Sequence, residues 1–290
     1  MKKIVILSTL VIILYFIWQN SLTIKIKTLL WNKDCQVGVA VINKEDKWLI
    51  NNNETYPMMS VFKTFIAAAV LEKAEKDNTD LVKEIIITND MIYPTHSTLK
   101  DKIKNYPYHS NLRELLYYMV AQSDNIACSA LLIYLGGIDK LKEFVSAKGF
   151  DKVVIKVDEK QMKDDIQKQK LNRAYPEDIA LFIQKVYEGE ILSSKQTEIF
   201  KQIMLETNTG NNKLKAGLPT DILIGHKTGS SNRGADNRKV GDNDAGFVIL
   251  PNGKVYYIVV MIKNSAMSDE ENASLTAQIS KQVYQQLSRK

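Results

Sequence analysis

Cysteine is scarce in this chain: there are two in 290 residues, Cys35 and Cys128. That excludes a disulfide-built scaffold, and each cysteine reads as a small buried apolar residue rather than half of a bridge. A metal centre has no support either, since His96, His109, His226 and the two cysteines never approach a ligand spacing. Proline (6) and glycine (13) are too few for a disordered, linker-rich or collagen-like chain. Behind the formal charge of +6 there is no block of five or more like charges, so no nucleic acid or other polyanionic partner is indicated. What remains is an ordinary folded composition, 45% hydrophobic and 25% charged. A chain of this length can bury roughly three quarters of its unfolded surface.

Long apolar runs free of charge are also rare. The one at the N-terminus, Ile4 to Trp18, follows Met1-Lys2-Lys3, the order of an export signal. As a helix this run would reach about 22 Å, short of the roughly 30 Å hydrocarbon core of a bilayer. A cleaved signal over residues 1–23 is therefore the reading, and an uncleaved N-terminal anchor extended through Gln19 to Thr23 is the alternative. In both cases the remainder is expected to be exported, as a periplasmic or secreted domain.

Strand patterns lie at both ends of that remainder. Val37 to Ile42, a polar turn and Lys47 to Ile50 read as a hairpin. Ala245 to Leu250, the turn Pro251-Asn252-Gly253 and Val255 to Ile262 read as a second, preceded by a strand at Leu223-Ile224-Gly225. Ser268 and Glu271 form a capping box that opens a C-terminal amphipathic helix. Between the strand groups the patterns are helical: Val61 to Ala74, Leu112 to Val120, Ile126 to Leu135 stopped by Gly136-Gly137, Pro176 to Tyr187, and Ser194 to Leu205. Strands from the two ends pair only if the chain returns to one sheet. The expected fold class is α/β: an antiparallel sheet flanked by helices in a discontinuous lobe, about 24–56 and 210–290, with an all-α lobe of about 57–209 inserted. The cleft between lobes is where a ligand site is sought.

Ser60-Val61-Phe62-Lys63 opens the most apolar helical pattern. A lysine there is buried, which is costly unless the ammonium is paired or its pKa falls. At i,i+3 it shares a helical face with Ser60, so an amine stands beside a hydroxyl that it can activate. Ser97-Thr98-Leu99-Lys100 has the same spacing in a polar stretch, and the pattern alone therefore means little. Context separates the two: Ser60 lies at a helix start, where free N–H groups can stabilise an oxyanion, and against an apolar wall. Ser123-Asp124-Asn125 precedes the helical pattern from Ile126 and reads equally well as a plain helix cap. Lys227-Thr228-Gly229-Ser230 continues the strand at Leu223-Ile224 and offers a lysine, hydroxyls and backbone to a carboxylate.

In this order the three elements resemble the class A serine β-lactamases. The separations, 63 residues from Ser60 to Ser123 and 104 from Ser123 to Lys227, suit that family, and the resemblance covers about residues 24–290. It implies the serine β-lactamase and D,D-peptidase-like fold. Taken alone, Glu159 is a solvated charge in a lysine-rich loop. Within the resemblance, Asp158-Glu159-Lys160-Gln161-Met162 and the polar run to Pro176 look like the family's omega-shaped loop, whose glutamate separates class A from penicillin-binding proteins. The Glu-x-x-Met form is similar to the branch that holds many cephalosporinases.

The resemblance implies hydrolysis of the β-lactam ring of antibiotics. Ser60 would be the nucleophile, Lys63 and Glu159 would share base duty, and Ser123 would pass a proton to the leaving nitrogen. Lys227, Thr228, Ser230 and Lys213 would hold the substrate carboxylate, and Asn125 the acylamino side chain. It implies no cofactor and no metal, a small-molecule β-lactam as the partner, and a monomer. Two departures from the family stand in the sequence: Lys163 replaces an asparagine that often helps hold the hydrolytic water, and Lys213 replaces an arginine, keeping the charge and losing the fork. His96 lies where an aromatic often lines the cleft rim and reads as wall. Two other readings use the same serine chemistry: a D,D-peptidase without a deacylating glutamate, and a surface sensor that β-lactams acylate without turnover.

Overall fold

The computed structural model describes residues 21–289. Nine strands are defined among them: β1 (Gln36–Ile42), β2 (Lys47–Ile50), β3 (Tyr56–Pro57), β4 (Glu84–Ile87), β5 (Tyr108–Asn111), β6 (Arg173–Ala174), β7 (Leu223–Ser230), β8 (Lys239–Ile249) and β9 (Val255–Ser265). Five form one antiparallel sheet in the order β2-β1-β9-β8-β7. Strands from both ends of the chain meet in it, with Val39 opposite Val260 and Ala245 opposite Val259. β7 is an edge strand, with one side free of any neighbouring strand.

The helices are α1 (residues 21–30), α2 (Lys63–Lys76), α3 (Thr98–Lys102), α4 (Leu112–Ala121), α5 (Asn125–Leu135), α6 (Ile138–Ala147), α7 (Glu159–Asp164), α8 (Pro176–Tyr187), α9 (Ser194–Leu205) and α10 (Asp269–Leu287). They cover both faces of the sheet, so β1, β8 and β9 read as near-continuous buried runs, and period two shows only in which layer each side chain joins. Val39, Val41, Ile258 and Val260 share one apolar cluster with Leu275, Ile279 and Val283 of α10. Ala40, Ile42, Tyr257 and Val259 belong to the other, with Phe65 and Ile66 of α2 and Phe182 of α8. α2 is buried nearly all round, as its unbroken apolar sequence requires, and its Phe65 ring sits 4.2 Å from Phe182.

The first helix is not evident as a fold element in the sequence, because it continues from the apolar run that reads as targeting. Leu22 and Ile26 of α1 are fully buried in the same cluster as α10, so the expected boundary at residue 23 cuts a packed helix. The run Ile4 to Trp18, on which the export reading rests, lies outside the described residues. Among the described residues no helix is long and apolar enough to cross a membrane. Cys35 is half-buried and Cys128 buried, and both are free thiols. Burial pushes Cys35 up to about 11 and Cys128 higher still, leaving neither reactive at neutral pH.

Candidate active site

The turn Pro57-Met58-Met59 delivers Ser60 to a single 3₁₀ turn, Met59–Phe62, from which α2 continues. Met59 has φ +48°, a left-handed conformation costly for a side chain of its size, so the surroundings must hold it. Three contacts do so. Asn243 Nδ2 donates to Pro57 O at 2.8 Å and to Met58 O at 3.0 Å, and Met58 N donates to Asn172 O at 2.8 Å. β3 also pairs with β6, fixing the turn to the end of the loop that carries Glu159. Gly229 of β7 closes the other side. A Cβ there would fall 2.7 Å from Met58 O and 2.9 Å from Ser60 N, so only glycine lets the edge strand lie against the serine's backbone.

Lys63 is fully buried one turn along. Its ammonium lies 2.9 Å from Glu159 Oε1 and donates to Asn125 Oδ1 (2.5 Å) and Ser123 O (2.8 Å), with Asp124 O at 3.4 Å. Every one of these neighbours is an acceptor, so the cost of burying the charge is met by pairing and hydrogen bonds. Ser60 Oγ donates to the same Glu159 Oε1 at 3.2 Å. The amine thus meets the serine through a shared carboxylate oxygen.

The second motif lies at the mouth of α5. Asp124 is its N-cap, accepting from Ala127 N at 2.8 Å, and it also binds Ser97 Oγ (2.7 Å) and Leu99 N (2.8 Å). The capping reading of this motif is therefore correct for Asp124, while its neighbours turn to the site. Ser123, at φ +58°, accepts from Lys227 Nζ at 2.7 Å, and Asn125 Nδ2 donates to Thr95 Oγ1 at 2.7 Å. Lys227 is fully buried on β7 and also donates to Thr228 O at 2.7 Å. Burial, and then the nearby Lys63 charge, push its ammonium well below the usual lysine range, although Glu159 and Asp244 pull the other way.

Glu159 opens the short α7, whose capping box joins Asp158 and Gln161. It is nearly buried, not a solvated charge. Asn172, fully buried, anchors the loop around it: Oδ1 accepts from Lys156 N (2.8 Å) and Val157 N (3.1 Å), and Nδ2 donates to Val157 O (2.7 Å).

These groups border a cavity of about 680 Å³ lined by Ser60, Ser123, Asn125, Glu159, Thr228 and Ser230, with His96 and Lys163 at its rim. His96 hydrogen-bonds Gln122 O through Nε2 at 2.9 Å, which suits wall rather than proton carrier. Lys213 is placed otherwise than expected. Neither it nor Lys227 lines the cavity, but whereas Lys227 reaches Ser123 Oγ on the wall, the Lys213 ammonium is bound to the Asp242 carboxylate, with Asn243 O at 3.4 Å. Lysine lacks the fork that would let it hold Asp242 and also reach a ligand. Asn172, Asn243, Asp242 and Lys239 were not visible as site residues, because each looks like an ordinary loop or strand polar residue until the fold buries it. Thr209 joins them, its Oγ1 2.7 Å from Thr228 Oγ1.

Beneath β7, His226 Nδ1 contacts Asp244 Oδ1 at 2.9 Å, and Asp244 Oδ2 accepts from Leu214 N at 3.1 Å, with both side chains buried. Asp244→Ala strands two buried donors and should destabilise the fold by about 2–5 kcal/mol. Urea unfolding monitored by circular dichroism checks this, and an unchanged midpoint would contradict it.

A hydroxyl at a helix start, tied to a buried carboxylate and lysine beside an edge strand, defines a serine hydrolase built for acyl transfer. The Beta-lactamase enzyme family matches residues 21–287. A β-lactamase from Bacteroides uniformis is 38% identical over 268 residues, 91% of this chain and 90% of the relative. Beta-lactamase VEB-1 from Pseudomonas aeruginosa is 36% identical, covering 90% of this chain and 89% of its own. Among solved structures, a class A β-lactamase from Bacteroides cellulosilyticus superposes with a TM-score of 0.91 at 36% identity, over 94% of this chain and 99% of that one. The chain belongs to the β-lactamase family and, within it, to the class A serine enzymes. It hydrolyses β-lactams, an antibiotic-resistance activity.

Proposed function

We propose that hydrolysis runs through an acyl-enzyme on Ser60. In acylation the bond from Ser60 Oγ to the lactam carbonyl carbon forms and the ring C–N bond breaks. Ser60 and Ser230 N–H groups stabilise the oxyanion. The serine proton goes to Glu159, to which Ser60 Oγ already donates at 3.2 Å, whereas the Lys63 ammonium faces the acceptors Glu159 Oε1, Asn125 Oδ1, Ser123 O and Asp124 O and serves as a donor. Lys63 keeps the carboxylate in place, and Ser123, charged with a proton by Lys227, protonates the departing nitrogen. Before deacylation Glu159 releases the serine's proton and Lys227 regains one through Ser123, both by way of solvent in the open cavity, so that Glu159 is again a carboxylate. It then takes a proton from water as the water oxygen bonds to the acyl carbon, the bond from Ser60 Oγ to that carbon breaks, and the proton passes to Ser60 Oγ. Thr228, Ser230 and Lys227 hold the substrate carboxylate, and Asn125 the acylamino group. Lys213 acts at one remove, through Asp242. No cofactor takes part.

The observation that carries this reading is the single Glu159 oxygen shared by Ser60 and Lys63. The test is steady-state hydrolysis of a chromogenic cephalosporin by the purified protein. Sustained turnover at roughly 1 to 1,000 per second is expected. A stoichiometric burst followed by arrest would instead support the peptidase or sensor reading.

The polypeptide is proposed to be exported and to act as a monomer in the periplasm or outside the cell. The charge-free run after Lys2-Lys3 supports export. The buried Leu22 supports a mature domain that begins before α1 rather than at residue 24.

A further inference from the structure

The inner half of β8 is polar and buried. Lys239, Asp242, Asn243 and Asp244 are each at most 5% exposed, an unusual load for a strand flanked by helices. Asn243 anchors the turn before Ser60, and Asp244 pairs with His226. Asp242 and Lys239 are not part of any motif, yet both reach the end of β7 that borders the cavity.

Asp242 accepts from Lys213 Nζ, from Ser230 Oγ at 2.7 Å, from Lys239 Nζ at 3.3 Å and from Asn272 Nδ2 at 3.3 Å. Burial pushes its carboxyl up, but the two lysines outweigh burial and hold it below the usual aspartate range, so it is a carboxylate. Lys239 Nζ also lies 3.0 Å from Ser230 Oγ and 3.0 Å from Asp269 Oδ2.

The hydroxyl of Ser230 has one proton, and in this structure it points at Asp242. A substrate carboxylate arriving at Ser230 would then meet a lone pair, backed by a buried negative charge. The first obstacle is removed if Ser230 turns its proton outward, and the second is offset by the Lys213 and Lys239 ammoniums on Asp242. Asp242 can give up that hydrogen bond because Lys213, Lys239 and Asn272 still satisfy it. Lys239 moreover donates to Ser230 Oγ, which makes the hydroxyl a better donor. We propose that Lys239 is a positioning residue for the substrate carboxylate: by neutralising Asp242 and donating to Ser230, it frees the serine proton for the ligand. This rests on Ser230 belonging to the carboxylate-binding group, as proposed above.

The test compares a chromogenic cephalosporin with its carboxylate methyl ester. Lys239→Met keeps the length of the stem and removes the charge. It should raise KM for the acid about ten- to a hundredfold, the weight of one charge-assisted hydrogen bond, with kcat and the ester's KM changed less than about threefold. Lys239→Arg should restore most of the acid's affinity. Lys239→Met with Asp242→Asn should recover it as well, because the charge that Lys239 offsets is gone. A merely structural role would move acid and ester together and would not be rescued by the double variant, and either result overturns the proposal. If Lys239→Met fails to fold, the double variant and Lys239→Arg carry the comparison, and a loss of acid affinity of about tenfold or more in both, with the ester unchanged, would contradict it. Ser230→Ala separates the two levels. If it leaves the acid's KM unchanged, Ser230 is not in the carboxylate group and both readings fall, whereas a raised KM there with none in Lys239→Met sinks only the inference.

Discussion

Ser60→Ala should reduce β-lactam hydrolysis by about a millionfold, the loss seen when a unit of coupled catalytic groups loses its nucleophile. No covalent adduct should form, and intact-protein mass after incubation with a penicillin should stay at the unmodified value. The fold should be unharmed. Ser60 contributes one hydrogen bond at 3.2 Å to Glu159, while Glu159 keeps its 2.9 Å contact with Lys63 and the turn keeps its anchors in Asn243 and Asn172. Unfolding free energy should stay within about 0.5 kcal/mol of the parent. A residual rate within a hundredfold of the parent, or an adduct elsewhere, would assign the nucleophile to another residue.

Glu159→Ala should separate the two half-reactions. Among the described residues its carboxylate is the only acidic side chain bordering the cavity with Ser60, so water at the acyl carbon would lose its base. Steady-state turnover should fall by about 100- to 10,000-fold, the usual weight of a general base. A stopped-flow trace should show a burst of about one product per enzyme, followed by a slow phase. The speed of the burst reports on acylation. If Glu159 also takes the serine proton, as the 3.2 Å contact indicates, the burst is slowed as well; if Lys63 can do so once freed of its partner, the burst stays fast. Lys63 should remain in place, because Asn125 Oδ1 and the carbonyls of Ser123 and Asp124 still accept from it. Turnover within tenfold of the parent would remove Glu159 from deacylation.

Local signals in the sequence were strongest where one periodicity ran unbroken. Pro176 to Tyr187 and Ser194 to Leu205 are helices with the bounds that their caps and apolar spacing indicate. The Ser268–Glu271 capping box opens α10. Asp124 shows the opposite limit, since cap and motif are both true of one tripeptide and no local pattern can separate them. The strand pattern starts at Ala245, but β8 begins at Lys239. Lys239, Asp242, Asn243 and Asp244 look like a loop because their charges are satisfied by residues far away in sequence, Lys213 and His226 among them. α7 was hidden for a different reason: six residues give no helical period, and its capping box needs the fold to define it. The site residues visible in sequence were those with fixed spacing and a known order. Asn172, Asn243 and Lys239 hold the others in place through long-range contacts, and such contacts leave no pattern in a single sequence.

Hydrolysis is expected to pass through a transient ester on Ser60. The most direct measurement is an acid-quenched time course of the parent protein turning over a chromogenic cephalosporin, with peptide mass mapping at each time. The Ser60 peptide alone should gain the mass of the opened substrate during turnover and lose it when substrate is exhausted. Turnover with no label on that peptide, or a label that persists after substrate is gone, would contradict it.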